Sequence, residues 1–578
     1  MLTGYPRPQF QRTNWLNLNG QWDFSFDDNK IGEKDKWYEK FPHGNKINVP
    51  YSYETKLSGI GIEELHTVVW YEKRLELEVD HTKKTILNFE GVDYNCKVWV
   101  NSYYVGGHQG GYAAFALDIT DYLINGMNKI TVKVEDSYSA EIPRGKQRWK
   151  SENFGCWYVQ TTGIWKTVWL ESVPKFYMEK IKITPDLDRS SVEIVGKFQG
   201  TSGGKDFKLR CDIILEDQII SSTLHNIIDN DIKITVELSS NKEPWKLAVW
   251  APHSPRLYDV KFILLEEENE VDTMYSYFGM RKISIEGDKV LLNNLPLYQK
   301  LILDQGYWED SHLTPPSEEA IIKDIDLILE AGYNGVRKHQ KVEDNRFLYW
   351  CDKKGLLVWS EMASSYSFTE KAVMDFTREW MEIVEQNYNH PSIITWTPFN
   401  ESWGIEQIFS VQQQQKFTEA IYHLTKTFDA MRPVIVNDGW EHTVSDIITL
   451  HDYVERGEEF IKRYKDKENI LKNKVPFNVH RYAFAKGYEY KGQPVILSEY
   501  GGIALSSDNG WGYGEQVRSE EAFIERFDSI TSAIKELDYI CGFCYTQVTD
   551  VQQEINGLYN MKREAKVDIK RIREINNR

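Results

Sequence analysis

Apolar positions give the two halves of this chain different rhythms. From about residue 284 onward, apolar runs of strand length alternate with segments whose apolar residues recur at helical spacing. The strand-length runs cover 297–305, 334–339, 356–362, 392–399, 434–438, 447–453, 495–499 and 540–547. Eight strands alternating with helices, over close to the ~250 residues usual for the type, predict a closed parallel (β/α)8 barrel. The helices carry their own punctuation. After Pro315-Pro316, Ser317 is placed to cap a helix with Glu318 and Glu319 in its first turn. Ile321, Ile325, Ile328 and Leu329 share one face of it, and Gly332 ends it. Pro391 disfavours helical geometry at His390, so it closes the preceding helix and opens the run 392–399.

Before residue 284 the helical spacing is absent. Val68-Val69-Trp70-Tyr71, Thr85-Ile86-Leu87-Asn88-Phe89 and Val98-Trp99-Val100 are short β-branched and aromatic runs punctuated by Asn, Gly and Asp, the signature of β-sandwich strands. Gly106, Gly107, Gly110 and Gly111 suit tight turns. The pattern resets near Pro174, and a second strand series runs to about Ile285. The expectation is a multidomain β plus α/β chain with domains at 1–174, 175–283 and 284–578.

Two segments carry the candidate chemistry. Trp396-Thr397-Pro398-Phe399-Asn400-Glu401-Ser402-Trp403-Gly404 and Pro494-Val495-Ile496-Leu497-Ser498-Glu499-Tyr500-Gly501-Gly502 each place one glutamate just after an apolar run. Groups that do chemistry in parallel barrels sit at the C-terminal ends of strands, and Glu401 and Glu499 follow the fourth and seventh runs. Glycosidic bonds are usually cleaved by two such carboxyl groups, one protonating the leaving oxygen and the other attacking or activating water.

Composition narrows the partners. With 69 basic against 87 acidic residues the net charge is −18, which argues against nucleic acid or an anionic membrane as the main partner. No apolar run approaches the roughly 20 residues of a membrane helix. The start, Met1-Leu2-Thr3-Gly4-Tyr5-Pro6-Arg7-Pro8, lacks the apolar core of a secretory signal, so the expected location is cytoplasmic. The six cysteines are spread thinly, which fits a reducing compartment and no disulfide framework. Cys541-Gly542-Phe543-Cys544 reads as two small core or lumen residues of a barrel strand rather than a metal or redox site.

The motifs Asn400-Glu401-Ser402-Trp403-Gly404 and Ser498-Glu499-Tyr500-Gly501-Gly502 recur in one known family together with two others present here. These are the opening Asn14-Trp15-Leu16-Asn17-Leu18-Asn19-Gly20-Gln21-Trp22 and the segment Gly163-Ile164-Trp165-Lys166-Thr167-Val168-Trp169. Over its whole length the chain resembles glycoside hydrolase family 2. The resemblance implies a jelly-roll sugar-binding-type domain, an immunoglobulin-like sandwich and a catalytic TIM barrel. It makes Glu401 the general acid/base and Glu499 the nucleophile of a retaining hydrolysis. It makes Asn400 the ligand of the sugar 2-hydroxyl, and Arg337 the residue that holds the nucleophile ionised. Where the family has a serine-histidine-tyrosine-proline string after that arginine, this chain reads Lys338-His339-Gln340-Lys341-Val342, which shifts His339 by one position. Glu361 resembles the acidic residue that ends the third strand, and Tyr453 the tyrosine that bonds the nucleophile. Asp304, which closes the first strand with Gln305, is an expected substrate ligand, as are His339, Gln547 and Glu554. Trp403 and Trp511, on rim loops, are expected to stack on a sugar or aglycone ring, whereas Trp440 suits the core equally.

For the glycone, β-glucuronidases of the family carry an asparagine-any-lysine signature before the segment corresponding to Gly557-Leu558-Tyr559. Here the positions read Glu554-Ile555-Asn556, and a glutamate repels a glucuronate, so the expected sugar is neutral. A β-galactoside is the leading expectation. Glucuronide, mannoside, glucoside, fucoside or arabinoside cleavage, and a noncatalytic carbohydrate-binding relative, are the alternatives. The chain ends with the barrel at Arg578, without the extra C-terminal domains of the largest galactosidases, and the resemblance then implies no metal or other cofactor. The expected partner is a small carbohydrate. Relatives often pair through their β-domains, which allows a homo-oligomer that no segment here specifies.

Overall fold

In the computed structural model, which describes residues 4–42, 44–239, 247–505 and 510–578, the β-branched and aromatic runs of the first part pair as two packed antiparallel sheets. Gly20–Phe26, Val68–Leu77 and Gly126–Glu135 lie side by side in a six-stranded sheet. It faces a four-stranded sheet of Phe115–Asp118, Lys83–Phe89, Val168–Pro174 and Trp15–Asn17. Two-residue alternation decides which side is dry. Ile130, Val132 and Val134 point one way and are buried with Phe24, Tyr71, Leu87, Phe89 and Leu170. Trp70 and Trp99 stack on the opposite face, 5.4 Å between ring centres.

A second sandwich follows. Asn269–Phe278, Tyr258–Glu266, Phe207–Leu215 and Gln218–Asn226 form one sheet, and Tyr177–Asp186, Ser191–Gln199 and Asp231–Glu237 the other. Gln11–Arg12, from the start of the chain, adds to the edge of the first of these, with Gln11 opposite Tyr275. Arg12 there bonds both Glu171 (2.9 Å) and Asp272 (3.0 Å), tying the two sandwiches together. Burial would push the Glu171 carboxyl up, but Arg7 and Arg12 outweigh it and hold it at about 2.

The barrel strands are β1 (Gln299–Asp304), β2 (Gly335–Lys338), β3 (Leu357–Glu361), β4 (Ile393–Thr397), β5 (Asn437–Asp438), β6 (Ile448–His451), β7 (Val495–Gly501) and β8 (Ile540–Thr546). Seven of them form one parallel sheet in the order β4-β3-β2-β1-β8-β7-β6. The regular strand expected over 434–438 is corrected. Among the described residues only Val434, through a bridge to Trp396, and β5, through Phe399–Asn400, pair with the fourth stave. Toward β6 only scattered backbone bonds remain, such as the Asp446 amide on Val434 O (2.9 Å), and side chains add to them: the Val434 amide donates to Asp446 Oδ2 (2.9 Å) and the Val436 amide to Ser445 Oγ (3.2 Å). The helix Glu318–Glu330 begins as its sequence predicts, with Ser317 Oγ accepting from the Ala320 amide, and Gly332 follows it at φ +86°.

Leu301, Leu303, Leu357, Trp359, Ile394, Ile496, Cys541 and Cys544 pack into the lumen, so polar chemistry is confined to the C-terminal strand ends above them. The segment 136–162 of the first domain lies across that rim. Asn153 donates to Gln552, Gln553 to the carbonyls of Gly155 and Trp157, and Tyr366 to Gly145 O. Among the described residues no helix is long and apolar enough to cross a membrane.

Buried carboxyls give this assembly a stability profile. Burial pushes Glu54 up to about 8 and Glu90, Glu361 and Glu379 up to about 7. Between their ordinary range and those values the folded chain binds more protons than the unfolded one, so each contributes stability that falls as pH rises. Glu171 and Glu343, held at about 2, act in the opposite sense and lose their contribution only as pH falls below about 4. The melting temperature is therefore expected to be highest near pH 5 and to decline toward pH 8. A scanning-fluorimetry series in buffers of matched ionic strength checks this, and a melting temperature that rises from pH 5 to pH 8 contradicts it.

Candidate active site

Arg337, at the end of β2 and fully buried, organises the carboxylates of the rim. Its Nε donates to Glu361 (2.7 Å), Nη1 to Glu499 (2.6 Å) and Asp438 (2.9 Å), and Nη2 to Asn400 Oδ1 (2.7 Å). One planar cation thus fixes groups from β3, the Phe399–Asn400 segment after β4, β5 and β7. Glu499 is turned toward it by an irregularity in β7: Leu497 pairs with Phe543 and Tyr500 with Tyr545, three residues spanning the length of two. Its other oxygen accepts from the Tyr453 hydroxyl. The Tyr453 ring lies parallel to Tyr513 with 3.4 Å between centres. That stack needs Gly502, at φ +57°, where a Cβ would stand 2.3 Å from Tyr513.

Glu401 approaches from the other side. It and Ser402 occupy left-handed backbone, φ +50° and +60°, a conformation costing non-glycine residues of order 1–3 kcal/mol. The turn is held by the Glu401 amide on Asp438 O (2.9 Å) and the Ser402 amide on Asn437 Oδ1 (3.0 Å). The Glu401 side chain is 20% exposed against 5% for Glu499, so Glu401 faces the opening and Glu499 the floor.

His451, at the end of β6, joins the two. Its Nδ1 lies 2.9 Å from Glu401 Oε1 and 3.5 Å from Glu499 Oε2, and its Nε2 3.0 Å from Asp438 Oδ2. Burial works against its charge, but Glu499 and Asp438 outweigh burial and hold the imidazolium up to about 10. Burial likewise raises Glu401, and the bond and charge of His451 with the charge of Lys146 bring it below the ordinary carboxylate range. One ligand-type atom each from Glu401, His451 and Glu499 lies within 4.8 Å of the others, a spacing that suits a cation. An imidazolium with both nitrogens engaged offers no lone pair. Activity is accordingly expected to survive exhaustive dialysis against EDTA; loss restored by zinc or manganese would contradict this reading.

The other expected ligands divide. His339 sits 3.0 Å from both Arg337 Nη2 and Glu361 Oε1, fully buried, and burial with the nearby cations drives it well below the ordinary histidine range. Glu361 bonds Arg337, so it braces the cluster from β3. Asn400 Nδ2 is buried and has no partner among the described residues, a donor left over beside Glu401. Gln547 accepts from Gln305 (2.8 Å) and donates to Asn556 (2.7 Å), while Glu554 accepts from Tyr158, Gln305 and Asn556. Trp511 donates to Gly155 O (3.0 Å) and packs edge-on to Tyr513. Trp403 packs against Trp157 (5.2 Å) and Tyr366 (5.5 Å). Trp440 donates to Ser402 Oγ (3.1 Å) beneath Glu401.

Asp304 is the correction. It is in register with Lys338 rather than Arg337, and it points to the helix layer, where one oxygen accepts from Lys338 (2.7 Å) and the other from the Gly306 amide (2.8 Å). Gln305 takes the inward position instead. The sequence reading also passed over the residues of the first domain that reach the rim, namely Lys146, Cys156, Trp157 and Tyr158, and the partners Asp438, His451 and Tyr513 from the barrel. The signal for the first group was present in Lys146-Gln147-Arg148-Trp149 and Cys156-Trp157-Tyr158, inside a stretch too long and too irregular for a sandwich turn.

Two β-sandwiches leading into a parallel barrel, with two glutamates at the barrel rim, define the class of multidomain barrel glycosidases. Family models agree along the chain: residues 16–174 match the glycosyl hydrolases family 2 sugar binding domain, 176–281 the glycosyl hydrolases family 2 model, and 283–577 the family 2 TIM barrel domain. The chain belongs to glycoside hydrolase family 2. Among curated relatives, it is 25% identical to a putative β-glucuronidase of Formosa agariphila, over 83% of this chain and 57% of that protein. It is 27% identical to a β-galactosidase of Thermoanaerobacter pseudethanolicus, over 76% of this chain and 57% of that protein. Against a β-glucuronidase of Rattus norvegicus identity is 23%, over 85% and 78%. The match thus spans somewhat over half the length of the first two relatives. In fold it is similar to a Bifidobacterium dentium β-glucuronidase complexed with coumarin-3-O-glucuronide (TM-score 0.80, 18% identity, 100% and 98% of the two chains). It is also similar to a β-galacturonidase from Eisenbergiella tayi bound to glycerol (TM-score 0.76, 19% identity, 100% and 98%).

Proposed function

We propose that the protein is a retaining, exo-acting glycoside hydrolase that removes a terminal neutral sugar by double displacement. The observation that carries the reading is the separation of the two carboxylates, an oxygen of Glu401 lying within 4.8 Å of one of Glu499. Retaining sites hold their carboxyl groups ~5–5.5 Å apart, whereas inverting sites leave ~6.5–9.5 Å for a water. Glu499, fixed by Arg337 and Tyr453, attacks the anomeric carbon. The Glu401–His451 pair holds one proton through neutral pH, and the leaving oxygen takes it through Glu401 as the imidazolium gives up its Nδ1 proton across their bond, which leaves Glu401 anionic and His451 neutral. Once Glu499 is esterified its charge is gone, so one support of the His451 charge is withdrawn. Glu401, now anionic, deprotonates the water that releases the sugar.

Charge supports the neutral glycone. Glu361, Glu401, Asp438, Glu499 and Glu554 face Arg337, His451 and Lys146, and a substrate carboxylate would enlarge an anionic excess. A β-galactoside is the first glycone to try. The second reading, a β-glucuronide, is favoured by the names of several relatives and by the presence of Lys146. A panel of neutral and uronic nitrophenyl glycosides decides between them. Cleavage of a neutral glycoside with uronides untouched is the expected result; cleavage of uronides alone overturns the neutral reading, and no cleavage of any member overturns the hydrolase reading for simple glycosides.

A further inference from the structure

Lys146 belongs to the first domain, yet its ammonium lies among the groups of the barrel rim. Its charge acts on Glu401, Glu554 and His339, and the nitrogen stands 5.9 Å from the centre of the Trp157 ring. The residue is 8% exposed. Its one side-chain hydrogen bond is to Cys156 Sγ at 3.2 Å, and no carboxylate among the described residues comes within ion-pair distance of it. A buried ammonium with three donors and a single weak sulfur acceptor is under-satisfied, which costs free energy unless a ligand completes it.

The backbone fixes this placement. Lys146 O accepts from the Tyr158 amide (2.8 Å), and the Arg144 and Gly145 amides both donate to Ser364 O (3.0 Å) on the rim. Gly145 is at φ +62°, and a Cβ there would stand 2.3 Å from Gln340 O. Only glycine lets the loop lie so close to the barrel. Cys156, across from the ammonium, is the one cysteine of the six that is not buried. Tyr158, two residues on, donates to Glu554, so the bonded lysine–thiol pair and the tyrosine that reaches Glu554 lie on one short stretch of the first domain.

We propose that Lys146 and Cys156 form the specificity wall of the glycone subsite, the ammonium donating hydrogen bonds to two hydroxyl oxygens of a bound neutral sugar while the thiol packs against it. The inference rests on the hydrolase reading above and deepens it by assigning the sugar's recognition to the first domain. Hydroxyls suit this ammonium better than a carboxylate because Glu401 and Glu554 already flank it with negative charge. Lys146 touches substrate here without joining the bond-making steps.

The test combines two variants with one chemical probe on the intact protein, using whichever neutral nitrophenyl glycoside the wild type cleaves fastest. Lys146→Met is expected to lower kcat/KM roughly 100-fold, since each hydrogen bond to a charged donor is worth a factor of about 10 or more, and Lys146→Arg to recover part of the loss. Unchanged melting temperatures confirm that both variants fold. N-ethylmaleimide should modify Cys156 of the wild type, located by peptide mass, with parallel loss of activity that the released monosaccharide slows; Cys156→Ala should resist. Full activity after complete modification of Cys156, or a Lys146→Met variant within threefold of wild type, overturns the proposal while leaving the hydrolase reading intact. Loss confined to uronide substrates also overturns it, because the ammonium would then be a carboxylate receptor. A wild type inert on every glycoside speaks against the hydrolase reading instead, and in that case failure of the monosaccharides of the panel to protect Cys156 overturns the wall as well.

Discussion

Glu499→Ala is expected to lose hydrolysis by about 10^4-fold or more, and azide is expected to restore turnover with a diagnostic product. Azide enters the space of the missing carboxylate and displaces the nitrophenolate in a single step, so the glycosyl azide has the inverted configuration. Glu401→Ala behaves differently. Nitrophenolate needs no proton to leave, so the glycosyl–Glu499 ester still forms and then accumulates, and azide attacking it gives the retained configuration. Loss on substrates with poor leaving groups should reach about 10^2–10^4-fold. Azide products of the same configuration from both variants would remove the proposed distinction between nucleophile and acid/base.

Arg337→Met is expected to damage fold and chemistry together. Arg337 is the cation for Glu361, Asp438 and Glu499 at 2.6–2.9 Å, all with side chains 5% exposed or less. Removing one partner of a buried ion cluster costs about 3–5 kcal/mol because the remaining charges stay buried and unpaired. Thermal melting should drop by several degrees, and the residual activity should lie far below that of a variant with the fold intact. Arg337→Lys keeps the charge without the planar fork, so it should recover stability more than rate. Circular-dichroism melts beside initial rates separate the two effects. A Met variant that melts like the wild type would mean that the cluster is neutralised by proton uptake rather than by the guanidinium.

Much of this site was legible in the chain because strand ends in a parallel barrel converge without any loop having to be predicted. Glu401 and Glu499 follow from the apolar runs that precede them, Asn400, Arg337, Glu361 and Tyr453 from the resemblance of their motifs to a family, and the structure brings the six together. Asp304 shows where such a reading stops short. Leu301 and Leu303 fill the lumen, so two-residue alternation sends Gln305 inward and Asp304 toward the helices, beside Lys338. That parity was available from sequence and outweighs the chemical appeal of a carboxylate. The irregular fifth stave was not legible, because Asp446 and Ser445 supplement a broken ladder with side-chain bonds that no apolar pattern announces. For Lys146 and Cys156 the chain signals only an irregular stretch, not where that stretch lies. Their position depends on how the first domain seats on the barrel, which is set by contacts more than two hundred residues apart, such as Gly145 and Tyr366.

The central claim is that Glu401 and Glu499 work as a retaining pair, and proton NMR of the first sugar released tests it most directly. With a substrate cleaved faster than its sugar mutarotates, the account predicts that the anomer appearing first has the configuration of the glycoside, with the other growing in later. First appearance of the opposite anomer would mean direct attack by water, which a separation within 4.8 Å leaves no room for, and would contradict the account.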